Sequence, residues 1–356
     1  ENDLIYGIFG GAFDPFHNGH LAVIEGALAC GHVDKIIVIP TGMPPHKKDR
    51  FVTPAPYRYY MTQDVVEHFP RCVLSDIELI SDGPSYTLGT LHLLEKNGTI
   101  KPTDTVYFMC GADVLYTFDQ WYHPDQLARK MRFLVARRPG SDREADLTQA
   151  EYLSQKYNAQ IEFMDARLLP VSSSAIREGN STNQVPDAVA SFIRTHDLYP
   201  NDDPLSHIDA STYRRFYDFS RWLFVDLSRK RLLHSLNTAV LSVRYAVRFG
   251  FNPNTALLAG LLHDCAKELT EDNQIFLAKR VVEKKLPPKE MIHAPAGAVH
   301  SQERYEIKDS EIINAIRYHT TGRRGMSGIE KIVFLADKLE PARPFDDLEP
   351  IRKKVE

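Results

Sequence analysis

Short apolar runs alternate with longer amphipathic stretches through residues 1–199 of the chain. The apolar runs are rich in Ile, Val and Phe, as expected for strands that are covered on both faces. They predict strands at residues 4–9, 35–40, 72–77, 105–110, 132–136 and 160–164. Helices are predicted between them at residues 19–30, 56–69 and 85–96. This alternation predicts an α/β fold with a parallel sheet, whose ligands bind beyond the carboxyl ends of the strands.

The pattern changes after residue 211. Apolar positions then recur at steps of three and four residues and mark one helix face, at Leu232, Leu233, Leu236, Val240, Val243 and Val247. Residues 212–340 contain no convincing strand pattern. We therefore predict an α/β domain at residues 1–199, a polar linker at 200–211 and an all-α domain at 212–356.

Composition narrows the class of protein. A chain of 356 residues favours two domains, because a single hydrophobic core rarely grows to that size. The net charge of -4 argues against nucleic-acid or membrane-surface partners, which need a basic footprint. The four cysteines form no C-x-x-C pair and are interpreted as free thiols in a reducing compartment. With no apolar run of membrane-spanning length and no signal-peptide pattern, we expect a cytoplasmic protein with small-molecule substrates; a homo-oligomer remains open.

The first predicted strand leads into a glycine turn with two histidines, GGAFDPFHNGH at residues 10–20. Gly10 and Gly11 let the backbone approach a ligand closely. His17 and His20 are three residues apart at a helix start, so they project from one face, and a helix N-terminus favours anions. Two imidazoles there can stabilise charge that develops on a transferring phosphoryl group. The alternative is a helix start with two surface histidines, but its place directly after a strand favours function.

Four more motifs accompany this turn: TGMPPHK at 41–47, PSYT at 84–87, GAD at 111–113 with Phe118 and Trp121 beyond it, and VSSSAIR at 171–177. Together they resemble the HxGH nucleotidyltransferase superfamily and, within it, the nicotinate-mononucleotide adenylyltransferases, over about residues 4–199. The resemblance implies a Rossmann-like domain of NAD biosynthesis. It would transfer AMP from ATP, with Mg²⁺, to nicotinate mononucleotide and release pyrophosphate.

The same resemblance implies roles for individual residues. His17 and His20 would be catalytic. ATP and its phosphates would be bound by Gly10, Gly11, Phe13, His46, Lys47, Ser172, Ser173, Ser174 and Arg177. The nicotinate nucleotide would be bound by Thr87, Asp113 and Trp121.

The residues themselves support these roles but leave alternatives. His46 and Lys47 follow two prolines and reach phosphates, or they form an exposed basic loop. The serines at 172–174 precede a short helix, so they hold phosphate or simply cap the helix. Ser174 stands where the family usually has Thr. Trp121 offers a flat face to a pyridine ring, or it belongs to the core.

Five histidines and two of the aspartates in the second region stand out as candidate metal ligands: His234, His263, Asp264, His293, His300, His319 and Asp337. Imidazoles with carboxylates suit Mn, Fe, Zn or similar divalent metals. The His263-Asp264 pair follows the apolar stretch 256–262, where charge is costly unless it binds something. Any one histidine is more often structural, but the set predicts a metal site.

A helix histidine, a His-Asp pair and a later Asp resemble the HD superfamily. Residues 231–343, with LLHDCAK, HAPAGA, RYHTTGR and ADKLEP, look like the YqeK-type HD proteins, which are symmetrical diadenosine tetraphosphate hydrolases. The resemblance implies one or two divalent metals, Fe, Mn or similar, bound by His234, His263, Asp264, His293, His319 and Asp337. Lys267 and Arg323 would bind phosphate, or they form surface salt bridges. His300 lies outside the matched motifs.

Other functions remain open. The first domain could be another HxGH transferase, such as a cytidylyltransferase or a pantetheine-phosphate adenylyltransferase, although the PPHK, GAD and SSSAIR motifs argue against both. The second domain could be a nucleotide-sensing module that regulates the first, or a nucleotidase of other specificity. The complete ligand set favours catalysis over sensing but does not exclude another nucleotidase. The YqeK resemblance implies cleavage of diadenosine tetraphosphate to two ADP.

Overall fold

The computed structural model describes residues 3–42, 52–81, 86–137, 140, 142–166, 169–179, 183–283, 285–344 and 348–355. The chain forms two compact units, Glu1–Phe192 and Ile193–Glu356. The division lies before the predicted boundary at 199. The stretch predicted as a linker, 200–211, is part of the second unit: it contains a 3-10 turn at Pro204–His207 and the start of a helix at Ala210. Leu205 and Ile208 are buried, so this stretch packs against the rest of the second unit although most of its residues are polar.

The first unit contains a six-stranded parallel sheet in the order β3-β2-β1-β4-β5-β6. The strands are β1 Ile5–Gly11, β2 Lys35–Pro40, β3 Cys72–Leu74, β4 Thr105–Gly111, β5 Arg132–Ala136 and β6 Ile161–Met164. The predicted α/β class is therefore confirmed. The prediction for β3 was too long, because the run continues into a short helix that buries Ile77 and Leu79. A short apolar run does not by itself distinguish a strand from a helical turn.

The helices of the first unit cover the sheet. They are α1 Asn18–Cys30, α2 Ala55–Val66, α3 Ile77–Ile80, α4 Thr87–Lys96, α5 Asp113–Thr117, α6 Pro124–Lys130, α7 Arg143–Tyr157 and α8 Ser173–Arg177. Helix α9, Asp187–Thr195, crosses the division between the units. Strand residues such as Ile8 and Phe133 pack with Leu91 of α4 and Leu153 of α7 in one hydrophobic core. The central strands thus end side by side, and the turns that follow them meet at one edge.

The regular secondary structure in the described residues of the second unit consists of helices, as predicted. Its helices are α10 Ala210–Asp226, α11 Arg229–Phe249, α12 Pro253–Leu262, α13 Glu271–Ala278, α14 His293–Arg304, α15 Ser310–Tyr318, α16 Gly328–Leu339 and α17 Glu349–Val355. Helix α12 packs closely on α11 because Gly260 has no side chain: a Cβ there would lie 2.8 Å from the Cα of Ala239. This approach brings the end of α12 next to the middle of α11.

Two general features complete the fold. In the described parts of the chain, no helix combines the length and apolarity needed to cross a bilayer. All four cysteines are free, and Cys110 and Cys265 are buried.

Candidate active sites

A cavity of about 460 Å³ lies at the carboxyl edge of the sheet in the first unit. It is lined by residues that end or follow β1, β2 and β4, as the strand pattern predicts for a parallel sheet. The predicted site residues in its wall are Gly10, Gly11, His17, His20, Thr87, Asp113, Trp121, Ser172 and Ser173. The sequence motifs, which are spread over 160 residues of chain, therefore meet at one place.

The two histidines of the glycine turn cap helix α1 and accept hydrogen bonds from each other's main chain. The N–H of His20 donates to Nδ1 of His17 at 3.3 Å, and the N–H of His17 donates to Nδ1 of His20 at 3.1 Å. Their rings stack with centroids 3.6 Å apart. Because each Nδ1 accepts a hydrogen bond, each neutral ring carries its proton on Nε2. Both side chains therefore offer an Nε2–H donor.

Three phenylalanines surround His20. The ring centroids of Phe9, Phe13 and Phe16 lie 6.1, 5.0 and 5.3 Å from its own. Burial lowers the pKa of His20 well below its ordinary value, and the neighbouring His17 lowers it further. His20 is therefore neutral at pH 7. The predicted ATP contact of Phe13 cannot come from its ring, which is 1% exposed and lies behind the cavity wall.

The serines after β6 include a helix cap, one of the two roles considered from sequence; their contact with phosphate stays a prediction. Ser172 caps α8 by accepting from the N–H of Ala175 at 3.2 Å, and it also lines the cavity. Ser173 donates to the carbonyl of Pro15 at 3.0 Å. Ser174 lies behind them, 3.2 Å from Ser172 Oγ.

Arg177 is held against the turn between β1 and α1. Its Nη1 donates to the carbonyl of Asp14 at 2.5 Å and lies 3.8 Å from the Asp14 carboxylate. Arg177 and Ser174 do not line the cavity, so their predicted contacts with ATP would require a ligand that reaches past its described wall.

The other side of the cavity carries the residues predicted to bind nicotinate. Trp121 packs edge-on against Phe108 at 5.2 Å and also lines the cavity, so it is both a core residue and an exposed aromatic face. Two polar residues that line the cavity, Glu78 and Thr90, were not predicted. The hydroxyl of Thr90 donates to the carboxylate of Glu78 at 2.6 Å. No motif marked them, because Glu78 directly follows the strand predicted at 72–77 and Thr90 lies inside the helix predicted at 85–96. His46 and Lys47 lie outside the described residues.

In the second unit, all six predicted metal ligands converge around Asp264. Oδ2 of Asp264 faces Nε2 of His263 at 3.5 Å and of His234 at 3.8 Å. Oδ1 faces Nε2 of His293 at 3.1 Å and of His319 at 3.4 Å. Asp337 closes the first side, with Oδ1 3.1 Å from His234 Nε2. Asp264 therefore stands between two groups of ligand atoms.

These groups fit divalent metal ions. His234, His263 and Asp264 form one set and Asp264, His293 and His319 the other; within each set the ligand atoms lie within 4.8 Å of one another. All of these residues are buried. A carboxylate with one oxygen toward each set suits a bridge between two ions, and imidazole with carboxylate suits Mn, Fe or Zn.

Hydrogen bonds behind the imidazoles prepare Nε2 for a metal. Nδ1 of His263 and of His319 each lie 2.7 Å from a main-chain carbonyl, that of Gly260 and of Ile316. Nδ1 of His234 lies 3.1 Å from Glu340 Oε1. These acceptors favour the tautomer with the proton on Nδ1, so Nε2 of these three histidines can bind a metal. His293 differs, because its Nδ1 lies 3.0 Å from Nζ of Lys267.

The carboxylates of the cluster are ionised. Burial opposes this, but the imidazoles of His263, His293 and His319 hold the pKa of Asp264 well below its usual range. Burial also raises the pKa of Glu340, yet its hydrogen bonds to His234, Ala342 and Asn237 and the charge of His234 together lower that pKa below its usual value. The site therefore presents fixed negative charge to a cation.

Two arginines that were not predicted lie at the metal-ligand cluster, together with the predicted Lys267. Arg231 Nη1 lies 2.5 Å from Asp264 Oδ2, and Arg343 Nη2 lies 2.9 Å from Asp337 Oδ1. Both were missed, although Arg231 stands three residues before His234 and Arg343 six residues after Asp337. Lys267 is at the cluster, with Nζ 3.0 Å from His293 Nδ1.

Arg323 follows the salt-bridge alternative. Its guanidinium makes two hydrogen bonds, at 2.8 and 2.5 Å, to the buried carboxylate of Glu330. If Arg323 contacts phosphate as predicted, it must do so while its guanidinium remains bonded to Glu330.

Comparison with known proteins places both units. Residues 8–179 match the cytidylyltransferase-like family. A Clostridium novyi protein named "Probable nicotinate-nucleotide adenylyltransferase" is 39% identical over 199 residues, which are 54% of this chain and 98% of that protein. The chain belongs to the nicotinate-nucleotide adenylyltransferase family. A second family member, from Clostridium tetani, is 36% identical over 197 residues, 54% of this chain and 97% of that protein.

The second unit extends beyond these family members. Residues 231–342 match the HD domain, as predicted, and the narrower YqeK-type assignment stays a prediction. A Clostridium acetobutylicum structure described as "predicted HD superfamily hydrolase involved in NAD metabolism" is 34% identical and covers 39% of this chain and 75% of its own, with a TM-score of 0.35. The Plasmodium falciparum nicotinic acid mononucleotide adenylyltransferase with NaAD is 18% identical and covers 55% and 97%, with a TM-score of 0.45.

Proposed function

We propose that the first unit transfers AMP from ATP to nicotinate mononucleotide, forming nicotinate adenine dinucleotide (NaAD) and pyrophosphate for NAD biosynthesis. Family membership supports this activity, because the curated relatives are almost fully covered by the chain. The observation that carries it is the reciprocal cap of His17 and His20, which presents two Nε2–H donors at the phosphate side of the cavity.

The residues suit direct in-line transfer. The 5′-phosphate oxygen of the mononucleotide attacks the α-phosphorus of ATP, and the bond to pyrophosphate breaks. His17 and His20 donate from Nε2 to phosphate oxygens as negative charge develops on them, so they stabilise the transition state without acting as nucleophiles. Mg²⁺ on the triphosphate would neutralise part of its charge.

We assign one group of cavity residues to ATP and another group to nicotinate mononucleotide. The glycine turn and Ser172 and Ser173 lie on the side assigned to ATP, with His46 and Lys47 assigned to its phosphates. Trp121, Thr87 and Asp113 lie on the side assigned to the pyridine nucleotide. The Trp121 ring is fixed by the core on one face, so it is ready to stack without ordering a mobile side chain.

The test uses the full chain with ATP and Mg²⁺. Nicotinate mononucleotide should yield NaAD and one equivalent of pyrophosphate, measured by chromatography. Nicotinamide mononucleotide, CTP and phosphopantetheine serve as competing substrates. Pantetheine or cytidylyl transfer without NaAD formation would contradict the proposal.

For the second unit, we propose a metal-dependent phosphohydrolase that cleaves diadenosine tetraphosphate to two ADP. The observation that carries hydrolysis is Asp264, whose two oxygens each face a separate pair of imidazoles. His234, His263 and Asp337 would hold one metal with Asp264, and His293 and His319 the other. Bound metals would supply an activated water and neutralise phosphate charge.

Two positively charged side chains near the proposed metal site can bind a polyphosphate. Arg231 and Lys267 stand beside the Asp264 cluster, where they can bind phosphate oxygens. The choice of diadenosine tetraphosphate rests on the motifs LLHDCAK, HAPAGA, RYHTTGR and ADKLEP. The assay offers this dinucleotide, other dinucleoside polyphosphates and mononucleotides to the metal-loaded chain. Two ADP per dinucleotide are expected; binding without cleavage across Fe²⁺, Mn²⁺ and Zn²⁺ would favour the sensor instead.

A further inference from the structure

A buried arginine lies behind the cavity wall of the first unit. Arg58, in the first turn of α2, has 0% of its surface exposed. Its guanidinium donates to three main-chain carbonyls: Nε to Thr53 at 2.8 Å, Nη1 to Ala12 at 2.7 Å and Nη2 to Gly42 at 2.9 Å. Burying a cation is costly unless its donors are paired, and an apolar residue of similar size would avoid that cost. The chain therefore uses the charged fork for something other than filling space.

Two of the three acceptors belong to the segments that form the cavity wall. Ala12 follows Gly11, and Gly42 follows Thr41; Gly11 and Thr41 both line the cavity. The N–H of Thr41 donates to the carbonyl of Gly11 at 2.8 Å, which continues the pairing of β1 and β2. Arg58 closes this arrangement from behind, one residue farther along each segment.

The hydrogen bond from Arg58 to the carbonyl of Ala12 also affects Phe13, the next residue, whose ring contacts His20. In a planar trans peptide, the carbonyl of Ala12 and the N–H of Phe13 point in opposite directions, so the bond to Arg58 sets where that N–H points. Phe13 has a φ of 47°, which is unfavourable for a residue with a side chain and needs support from its neighbours. Its ring contacts His20.

We infer that Arg58 is a positioning residue for adenylyl transfer, an inference that rests on the proposed function of the first unit. Arg58 holds residues 11–13 and 41–42 in one arrangement, so that the main chain of the turn and His20 meet the phosphates of ATP. The planar fork is required because a lysine ammonium cannot serve three carbonyls that lie around one guanidinium. The cation behind the turn also attracts the phosphate chain.

The chain offers a matched control. Arg71 also donates to main-chain carbonyls, those of Val33 and Asp34, but it does so at the opposite edge of the sheet, where β2 begins. Arg58→Lys, Arg58→Met and Arg71→Lys are compared as full-length proteins. Thermal unfolding gives the folded fraction of each, calorimetry gives ATP affinity, and steady-state kinetics give kcat and both KM values.

Arg58→Lys should raise the Kd and KM for ATP about 10-fold or more and lower kcat, while the KM for nicotinate mononucleotide changes less than threefold, as expected when the triphosphate site is misplaced. Arg71→Lys should leave all constants within about twofold. Arg58→Met has no buried charge, so it should fold even if the lysine variant does not, and it should show the same loss of ATP affinity.

Two results would overturn the inference. One is ATP affinity and kcat per folded molecule that match wild type in both Arg58 variants. The other is an equal loss for both substrates that simply follows the folded fraction. Failure of wild type to form NaAD would instead refute the proposed function, and the calorimetric comparison of ATP binding would still decide the role of Arg58.

Discussion

Replacing Glu340 by Gln should weaken metal binding at one side of the Asp264 cluster. Glu340 is 3% exposed; its Oε1 accepts from His234 Nδ1 at 3.1 Å, and its Oε2 accepts from the N–H of Ala342 at 2.8 Å and from Nδ2 of Asn237 at 2.7 Å. The substitution keeps the size of the side chain but replaces one acceptor oxygen by an NH₂ donor. The main-chain N–H of Ala342 cannot turn away, so the bonding at one of the two oxygen positions must fail.

Either orientation of the new amide is unfavourable. If its oxygen faces His234, its NH₂ opposes the N–H of Ala342, and a buried donor loses its acceptor at a cost of about 1–3 kcal/mol. If its oxygen faces Ala342, its NH₂ donates to His234 Nδ1, which moves the ring proton to Nε2 and removes the lone pair that would bind the metal. One to three kcal/mol corresponds to about 5- to 150-fold in affinity, and losses of about 10–100-fold are common for such outer partners.

The assay is titration of Mn²⁺ into chelator-treated full-length protein, followed by calorimetry. Nitrogen NMR of the histidines reports which ring nitrogen of His234 carries the proton. Glu330→Gln is the matched control, because Glu330 is equally buried on α16 but pairs with Arg323 and not with a ligand. Glu340→Gln should lose about 10–100-fold in affinity for one ion, and the control should not. Equal affinities in the two variants, with Nδ1 of His234 still protonated, would refute the reasoning.

Four further predictions follow from the two sites. His17→Ala or His20→Ala should each lower kcat for NaAD formation about 100-fold or more, with circular dichroism unchanged; near-normal turnover would remove them from catalysis. Trp121→Ala should raise the KM for nicotinate mononucleotide more than that for ATP, whereas Trp222→Ala in the second unit should change neither; equal losses would make Trp121 only a core residue. Asp264→Ala should abolish metal binding and dinucleotide cleavage but leave adenylyl transfer intact; metal content and both activities are measured together. Because burial lowers the pKa of His20, the unfolded chain binds this proton first as pH falls below about 6.5, so the free energy of unfolding of the first unit should fall with pH there, and His20→Gln should reduce that slope in urea titrations.

The sequence predicted the sheet well because its central strands are buried on both faces. The strands at 35–40 and 132–136 were predicted residue for residue, since their apolar runs end at Pro40 and after Ala136. The site motifs follow strand ends or begin helices, so their meeting at one edge follows from parallel topology. The run at 72–77 failed because burial alone does not specify period, and Ile77 is buried from a helix.

Residues that act through other residues were not predictable in this way. Arg58 is a polar residue in a helix whose residues are buried on most sides, and nothing local reveals that it reaches Ala12, 46 positions earlier. Glu340 stood inside a recognised motif, but only the packing of α11 against α16 shows that its partner is His234. The positions of such side chains depend on tertiary contacts, which periodicity does not contain.

The two units use one residue type for opposite purposes, and the partner of Nδ1 decides which. In the first unit, Nδ1 of His17 and of His20 accepts a main-chain N–H, so Nε2 carries the proton that we propose is donated to phosphate. In the second unit, Nδ1 of His263 donates to a carbonyl and Nδ1 of His234 to a carboxylate, so Nε2 becomes a ligand for a cation. Each of these four histidines should therefore lose its proposed function when its Nδ1 partner changes from acceptor to donor or the reverse, even though the ring itself is retained. Glu340→Gln makes that change at His234, and its effect on metal affinity tests the rule with a single atom exchanged.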